Sequence, residues 1–387
     1  MNYSASAISN FKACPIRYRN SNIYRIRRIK ETDALRQGNV WHKLQEIMGL
    51  KPGGKCLHCE GKQCIFCDGT GILPENLTEV ITKYINREYK EVPANKTTED
   101  WLIERTILLN SMVGYFWYYS QNQQNYEIIA SEFEFNLPII IGGKTYTIQG
   151  KIDQIIKDEY NNFYIREFKS TSKSLDDETF WSHLNLDTQI TLYLAAVQYL
   201  QMNGELKQYG ITPQDQLVSG ILYNVWHKPQ IKPKNLTQSE SKKFVENGEY
   251  CGQKFKVEAW SSDSAQGFVI NNEQAIVNPG VKEGTFAIYE TPQMFGARLI
   301  QDIITRPTFY FRQVELTRTT KDLQKFMDEL VNIIELTTFM EKHDMWFSNE
   351  QQCQAKFKCE YTNLCYNHIP IGPDNIPDGY EYVKEKE

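Results

Sequence analysis

Several things are missing from this chain of 387 residues. It holds no uninterrupted apolar run long enough to span a bilayer. Its first residues, MNYSASAISNFKACP, contain no apolar leader core. Both absences predict an intracellular protein without a membrane-spanning segment. A net charge of −5 excludes a surface coated uniformly for nucleic acid, while leaving room for a local basic stripe. Internal repeats and long low-complexity linkers are absent too. Aromatics are not lacking: 23 Tyr, 19 Phe and 7 Trp can fill two domains or one large core with insertions. In a reducing compartment the nine cysteines are not expected to form a disulfide framework. Their clustering favours metal or cluster binding.

One local absence is informative. From Arg17 to Lys30 the chain carries Arg17, Arg19, Arg25, Arg27, Arg28 and Lys30 and no acid. Tyr18 and Tyr24 are interleaved. Basic side chains neutralise phosphates and aromatics stack bases, so this stretch is expected to face nucleic acid rather than form a solvated helix face.

The chemistry centres on residues 147–170, TIQGKIDQIIKDEYNNFYIREFKS, which read as two strands and a turn. A symmetric turn sets Asp153 across from Glu167. Alternation puts Glu167 and Lys169 on one face, Arg166 and Phe168 on the other. Two like charges facing each other destabilise a hairpin, and a divalent cation reverses that sign. Magnesium and manganese favour carboxylate oxygens, and a nearby lysine can hold or polarise a water. The bland alternative is a surface hairpin with scattered charges.

Two cysteine groups stand apart. Cys56, Cys59, Cys64 and Cys67 form two CxxC pairs in residues 51–74, with Gly61, Gly69 and Gly71 permitting tight turns. Four thiolates at this spacing suit tetrahedral zinc, which would supply most of the segment's stability. CxxCxGxG at 64–71 resembles one repeat of the DnaJ-type cysteine-rich region, but nothing else in the chain does, so the likeness is knuckle geometry alone. Cys353, Cys359 and Cys365 need a fourth thiol, for which Cys14 and Cys251 are candidates; four thiolates suit zinc or a cubane iron–sulfur cluster.

Elsewhere, residues 1–50 look mostly helical. Gly38–Leu50 forms an amphipathic helix with Trp41, Leu44, Ile47 and Met48 buried and His42 and Glu46 on another face. Residues 75–126 look helical, with the aromatic run at 115–119 packing in the core. Residues 131–137 alternate as a strand. Asp187 caps a helix running to Leu200 that carries Gln189 and Tyr193 on one face. Residues 216–226 form another strand. Residues 227–285, with Cys251, are a β-rich insertion or long loops. Helices at 290–304 and 320–342 flank a strand at 309–316.

In order, these motifs resemble the PD-(D/E)XK nuclease superfamily, specifically the RecB/AddB-like exonucleases with an iron–sulfur staple, a group that includes the CRISPR-adaptation nucleases and phage-encoded relatives. SASAISNFKACPIRY looks like the family's opening helix with the first cluster cysteine, Cys14. GNVWH supplies its histidine, His42; GKID its metal aspartate, Asp153; EFK its Glu167 and Lys169; QITLY its Gln189 and Tyr193. Cys353, Cys359 and Cys365 complete the cluster, although the five-residue gaps differ from the CxxC of some members. The Cys56–Cys67 knuckle is an addition, expected near the active-site entrance and suited to gripping DNA or a partner.

The resemblance implies an α/β (α+β) fold with a restriction-endonuclease-like mixed sheet flanked by helices. The expected segments are an N-terminal basic arm (1–50), the zinc knuckle (51–74), a nuclease core (75–226), an insertion (227–289), a helical region completing the core (290–345) and an iron–sulfur segment with tail (346–387). It implies Mg2+ or Mn2+ on Asp153, Glu167 and His42, with Lys169 positioning water and Gln189 and Tyr193 holding the strand. A 4Fe-4S cluster and Zn2+ are the further cofactors. The expected activity is single-strand DNA exonuclease, in replication, recombination or repair, with DNA and a replication or recombination protein as partners, in a phage-infected bacterial host. A nuclease fold used only as a DNA-binding scaffold is the alternative, and the intact Asp153, Glu167 and Lys169 weigh against it.

Overall fold

The structure, a computed structural model, describes residues 2–29, 33–56, 64, 66–121, 125–261, 266–282, 284–355, 358–372 and 375–383. The chain opens with a short strand, β1 (Asn2–Tyr3), and a helix, α1 (Ala5–Ala13). Ser4 caps α1 by accepting Ala7 N at 3.2 Å. Cys14 is extended and ends the helix, and Pro15 starts α2 (Pro15–Tyr18), where its missing N–H costs nothing. A π-helical turn at 19–23 leads to β2 (Ile26–Arg28). The N-terminal region is mostly helical, as expected, with two short strands besides. Both strands pair with segments far along the chain, a signal no local window contains.

Next come α3 (Asp33–Met48), α4 (Leu77–Glu88) and α5 (Thr98–Gln121). Helix α3 begins before the expected Gly38 and buries Val40, Trp41, Leu44 and Ile47. Strands β3 (Glu127–Ile141) and β4 (Lys144–Lys157) form a long hairpin. Its two-residue turn, Gly142–Gly143, has both φ angles positive, which glycine adopts without strain. Strand β5 (Phe163–Thr171) follows a turn whose Asp158 carboxylate accepts Tyr160 N and Asn162 N. Then come α6 (Glu178–Ser182) and α7 (Thr188–Met202), capped as expected by Asp187, which accepts Ile190 N at 3.0 Å. Strand β6 (Gly220–His227) is buried along its whole length.

Residues 228–290 form a small unit with its own apolar cluster around Leu236, Phe244, Phe255, Ile270 and Ile288. It holds α8 (Gln238–Asn247) and short strands paired within it: β7 (Glu249–Tyr250) with β8 (Gln253–Lys254), β9 (Val257–Ser261) with β10 (Gln266–Ile270) and β11 (Glu273–Gln274), and β12 (Val277–Pro279) with β13 (Phe286–Ile288). Helix α9 (Pro292–Thr305) follows. Pro307 opens a helical turn, α10 (Pro307–Tyr310), so β14 (Phe311–Leu316) starts later than expected. The chain ends with α11 (Thr320–His343), α12 (Glu350–Cys353), α13 (Thr362–Tyr366) and β15 (Tyr380–Tyr382).

The central mixed sheet runs β1-β4-β5-β6-β14, with β3 on the other edge of β4. β1 lies parallel to β4 and β5 parallel to β6; the remaining pairs are antiparallel. The sheet thus takes one strand from the N-terminal segment and one from beyond the insertion. One face packs against α1, α7 and α11, the other against α3, α4, α5 and α9. On the second face Trp41 stacks on Trp226 at 4.2 Å, and Tyr115 meets Trp41 edge-on at 5.7 Å, so the aromatic run at 115–119 is core as expected. Trp226→Ala is expected to cost about 3–5 kcal/mol of stability, measured by urea unfolding.

Candidate active site

Strand β4 serves two neighbours along one edge. Thr147 and Ile148 pair with β1, and Gln154 to Lys157 pair with β5. Residues 149–153 between them have no strand neighbour on that edge among the described residues. The sheet forks there. Asp153 sits one step beyond the last β4–β5 pair, Gln154 with Arg166. Its Oδ2 accepts Phe168 N at 2.8 Å, so a side chain takes up the backbone donor that the ladder leaves. The expected register holds, but the ladder stops one residue short of joining Asp153 to Glu167.

Glu167 is buried, 2 % exposed. Lys169 Nζ donates to its Oε1 at 2.8 Å and Gln189 Nε2 donates to the same oxygen at 2.7 Å. Oε2 is buried with no hydrogen-bond partner among the described residues. Burial pushes the Glu167 carboxyl up to about 7; Lys169 opposes this and Asp153 adds to it. Burial alone would lower the Lys169 ammonium, but the Glu167 charge outweighs it and holds Lys169 above its ordinary value. His42, from α3, brings Nδ1 within 3.5 Å of Asp153 Oδ2.

Gln189, expected to hold a substrate strand, donates its amide to Glu167. Tyr193, one turn on, packs edge-on against Phe135 at 6.0 Å and lies over Gly150, where a Cβ would stand 2.9 Å from its ring. Burial raises the Tyr193 phenol. A polar cleft of about 680 Å³ opens beside these residues, between Ser4, Ser6 and Ser9 of the α1 end and Gln149–Lys151 of the forked edge.

Other groups face the site without having been singled out in the sequence. Tyr223 stands opposite Glu167 on β6; burial raises its phenol, against the nearby Lys169 charge. Glu132 adopts a left-handed backbone (φ 52) in a stretch that keeps its register with β4, and pairs with Lys151. Burial raises the Glu132 carboxyl; Lys151 opposes this, while the Glu46 and Asp153 charges add to it. Nothing local in the sequence marks these residues: β6 reaches Glu167 through a parallel crossover, and Glu132 depends on a backbone irregularity.

The sequence profile of the PD-(D/E)XK nuclease superfamily matches residues 2–366. The chain belongs to this superfamily. No curated protein matches it in sequence. Membership points to a metal-dependent nuclease with DNA as substrate. The donor set fits such an ion: an imidazole and two carboxylates, one of which has a buried oxygen left unpaired.

The basic stripe of this nuclease superfamily member is less bare in space than in sequence. Arg27 Nε bonds Glu381 Oε1 at 2.8 Å, and Glu360 accepts Arg28 N at 3.1 Å. β2 and β15 pair, which brings Glu381 to the stripe, while Glu360 reaches it from just before α13. Arg19 lies 5.1 Å from the Tyr24 ring. Tyr18 is buried between Phe11 and Trp346 and cannot stack bases. Arg25 takes a left-handed backbone, and Arg17 lies near the Cys359 thiol. Lys30 lies outside the described residues. A groove of about 850 Å³ joins Arg27, Arg28 and Lys358 to Leu35 and Asn39 of α3, one helical turn from His42.

Among the described residues one cysteine group brings its sulfurs close together, and Cys14 lies near the C-terminal cysteines. Cys56, Cys64 and Cys67 are buried with sulfurs within 4.8 Å of one another; Cys59 lies outside the described residues. Cys14 accepts Asn349 N at 3.4 Å, next to α12, which carries Cys353. Burial raises the Cys359 and Cys365 thiols, and the charges of Cys353 and Cys14 add to it. Cys251 sits in the insertion beside Glu290 and Arg298. Among the described residues no helix is long and apolar enough to cross a membrane.

Burial favours the protonated form of the Glu167 carboxyl, so a cation bound there would compete with that proton. In a Mn2+ titration followed by EPR between roughly pH 6 and 8, affinity is expected to fall about tenfold per unit below about pH 7 and to level off above it. A flat profile would contradict the role given to Glu167.

Proposed function

We propose that the chain is a Mg2+- or Mn2+-dependent deoxyribonuclease of the RecB/AddB-like type, degrading single-stranded DNA from an end. The observation that carries this reading is Glu167 Oε2. It is a buried carboxylate oxygen without a partner, beside Asp153, while Lys169 and Gln189 both occupy Oε1. Asp153, Glu167 and His42 would hold one or two divalent ions, and the Phe168 carbonyl is a further donor. Bound there, a cation lowers the pKa of a water and stabilises charge on the scissile phosphate.

The chain's own groups do the rest. Phe168 N fixes the Asp153 carboxylate. Gln189 fixes Glu167. Lys169 keeps its proton at Nζ and lies where it can orient water or offset developing negative charge. Tyr193 walls the polar cleft that receives the strand. Cys14, Cys353, Cys359 and Cys365 are the proposed ligands of a 4Fe-4S cluster that ties the two ends of the chain together, with a structural role. The gathering of Cys14 with the three C-terminal thiols supports this. Zinc is the ion proposed for Cys56, Cys59, Cys64 and Cys67. Replication, recombination or repair in a phage-infected bacterium is the setting that this likeness suggests.

End-labelled linear and circular single-stranded DNA, incubated with Mg2+ or Mn2+, tests the activity. Loss of the linear strand from its ends with the circle spared is expected. Glu167→Ala and Lys169→Ala should each lower the rate by about a hundredfold or more. Undiminished rates in these variants sink the assignment, and a degraded circle makes the enzyme an endonuclease.

For the cluster, anaerobic purification should yield a brown protein with iron and acid-labile sulfide in equal amounts, and Cys14→Ser should lose both. A colourless protein carrying a second zinc would refute iron.

A further inference from the structure

Helix α3 carries three consecutive side chains that each touch a different body. Trp41 is fully buried and stacks on Trp226. His42 reaches the Asp153 carboxylate. Lys43 lies over the Phe66 ring, 5.2 Å from its centroid, in the loop that holds Cys64 and Cys67. Successive side chains on a helix are separated by about 100°. A rotation of α3 that loosened one of these contacts would therefore move all three.

The thiolate loop is built into the same apolar cluster as α3. Cys56, Cys64, Phe66, Cys67 and Leu73 pack with Val40, Trp41, Leu44 and Ile47. The loop is closed by Cys56 N to Gly71 O at 2.9 Å and Leu73 N to Gly54 O at 2.8 Å. Cys56 Sγ and Cys64 Sγ are 3.6 Å apart. That is far too long for a disulfide and close to the edge, about 3.8 Å, of a sulfur tetrahedron around an ion 2.3 Å from each sulfur. The separation suits a single zinc ion.

Part of the charge around the loop is already paired. Lys43 Nζ lies 2.7 Å from both oxygens of Glu46, and Lys83 pairs with Asp68. Lys55, beside Cys56, is exposed.

We infer that the Cys56–Cys64–Cys67 centre binds zinc in order to hold α3, and that through Lys43 and Phe66 it sets the approach of His42 to Asp153. Zinc at the thiolates and the divalent ion at the catalytic carboxylates are then linked: filling the first raises affinity for the second. The inference rests on reading Asp153 and His42 as ligands of the catalytic ion. Trp41 and Lys43, on either side of His42, act as positioning residues between the two sites.

The test uses the full chain purified with reductant. Zinc is measured by mass spectrometry and Mn2+ affinity by EPR. Cys67→Ser should lose one zinc and bind Mn2+ about tenfold more weakly, as loss of an orienting shell does at other metal sites. Cys67→His, which keeps a zinc ligand, should restore both. Phe66→Ala keeps every thiol, so it decides the matter if Cys67→Ser does not fold; it should retain zinc and still weaken Mn2+ binding. Unchanged Mn2+ affinity in zinc-free Cys67→Ser, or in Phe66→Ala, overturns the inference. So does a Cys67→Ser protein that loses affinity for a single-stranded oligonucleotide while binding Mn2+ normally, since that result assigns the loop to DNA. Asp153→Asn separates the two levels: if it binds Mn2+ as the unaltered chain does, the reading of the catalytic site itself is wrong.

Discussion

The hydrogen bond from Phe168 N to the Asp153 carboxylate stands where a ladder bond would otherwise continue between β4 and β5. The strands separate at this point because β4 must also pair with β1 a few residues earlier on the same edge. Backbone polar groups at such a fork need partners, and a short acidic side chain can supply one. The same side chain then points a charged oxygen toward His42. Fork, carboxylate and cleft are one feature, since the open stretch 149–151 is also a wall of the polar cavity.

Burying Glu167 beside that aspartate carries a desolvation cost that Lys169 and Gln189 only partly offset, because both address the same oxygen. The raised affinity of Glu167 for a proton is the sign of what remains. A divalent cation is the natural occupant of such a place, which is why an arrangement unfavourable to the metal-free fold suits metal-dependent chemistry. The aromatic layer on the opposite face, built on Trp41, Trp226, Tyr115 and Phe311, supplies apolar burial that can carry this local cost.

Charge also looks different in three dimensions. The stretch from Arg17 to Lys30 has no acid of its own, yet β15 brings Glu381 to Arg27. One arginine of this groove, Arg27, thus already has a carboxylate partner from the C-terminal strand. Such an exposed pair is weak enough for phosphate to compete with it.

Much of this was legible in residue order. Glu167 and Lys169 share a face because strands alternate; Asp187 caps its helix; Gln189 and Tyr193 fall one turn apart. Each of these is set by neighbours within a few positions, and local stereochemistry suffices for them. The rest required the assembled chain. Gln189 could be placed on a helix face but not against Glu167, because that contact crosses from helix to strand. Tyr223 joins the site through a parallel crossover and Glu132 through a left-handed backbone, and Glu381 meets the basic stripe through pairing across the whole chain. Tyr18, which by its position among arginines suggested stacking on bases, went into the core. Spacing and alternation along the sequence determined which side chains could act together; only the tertiary structure decided which of them meet, because contacts between distant segments depend on the packing of whole elements.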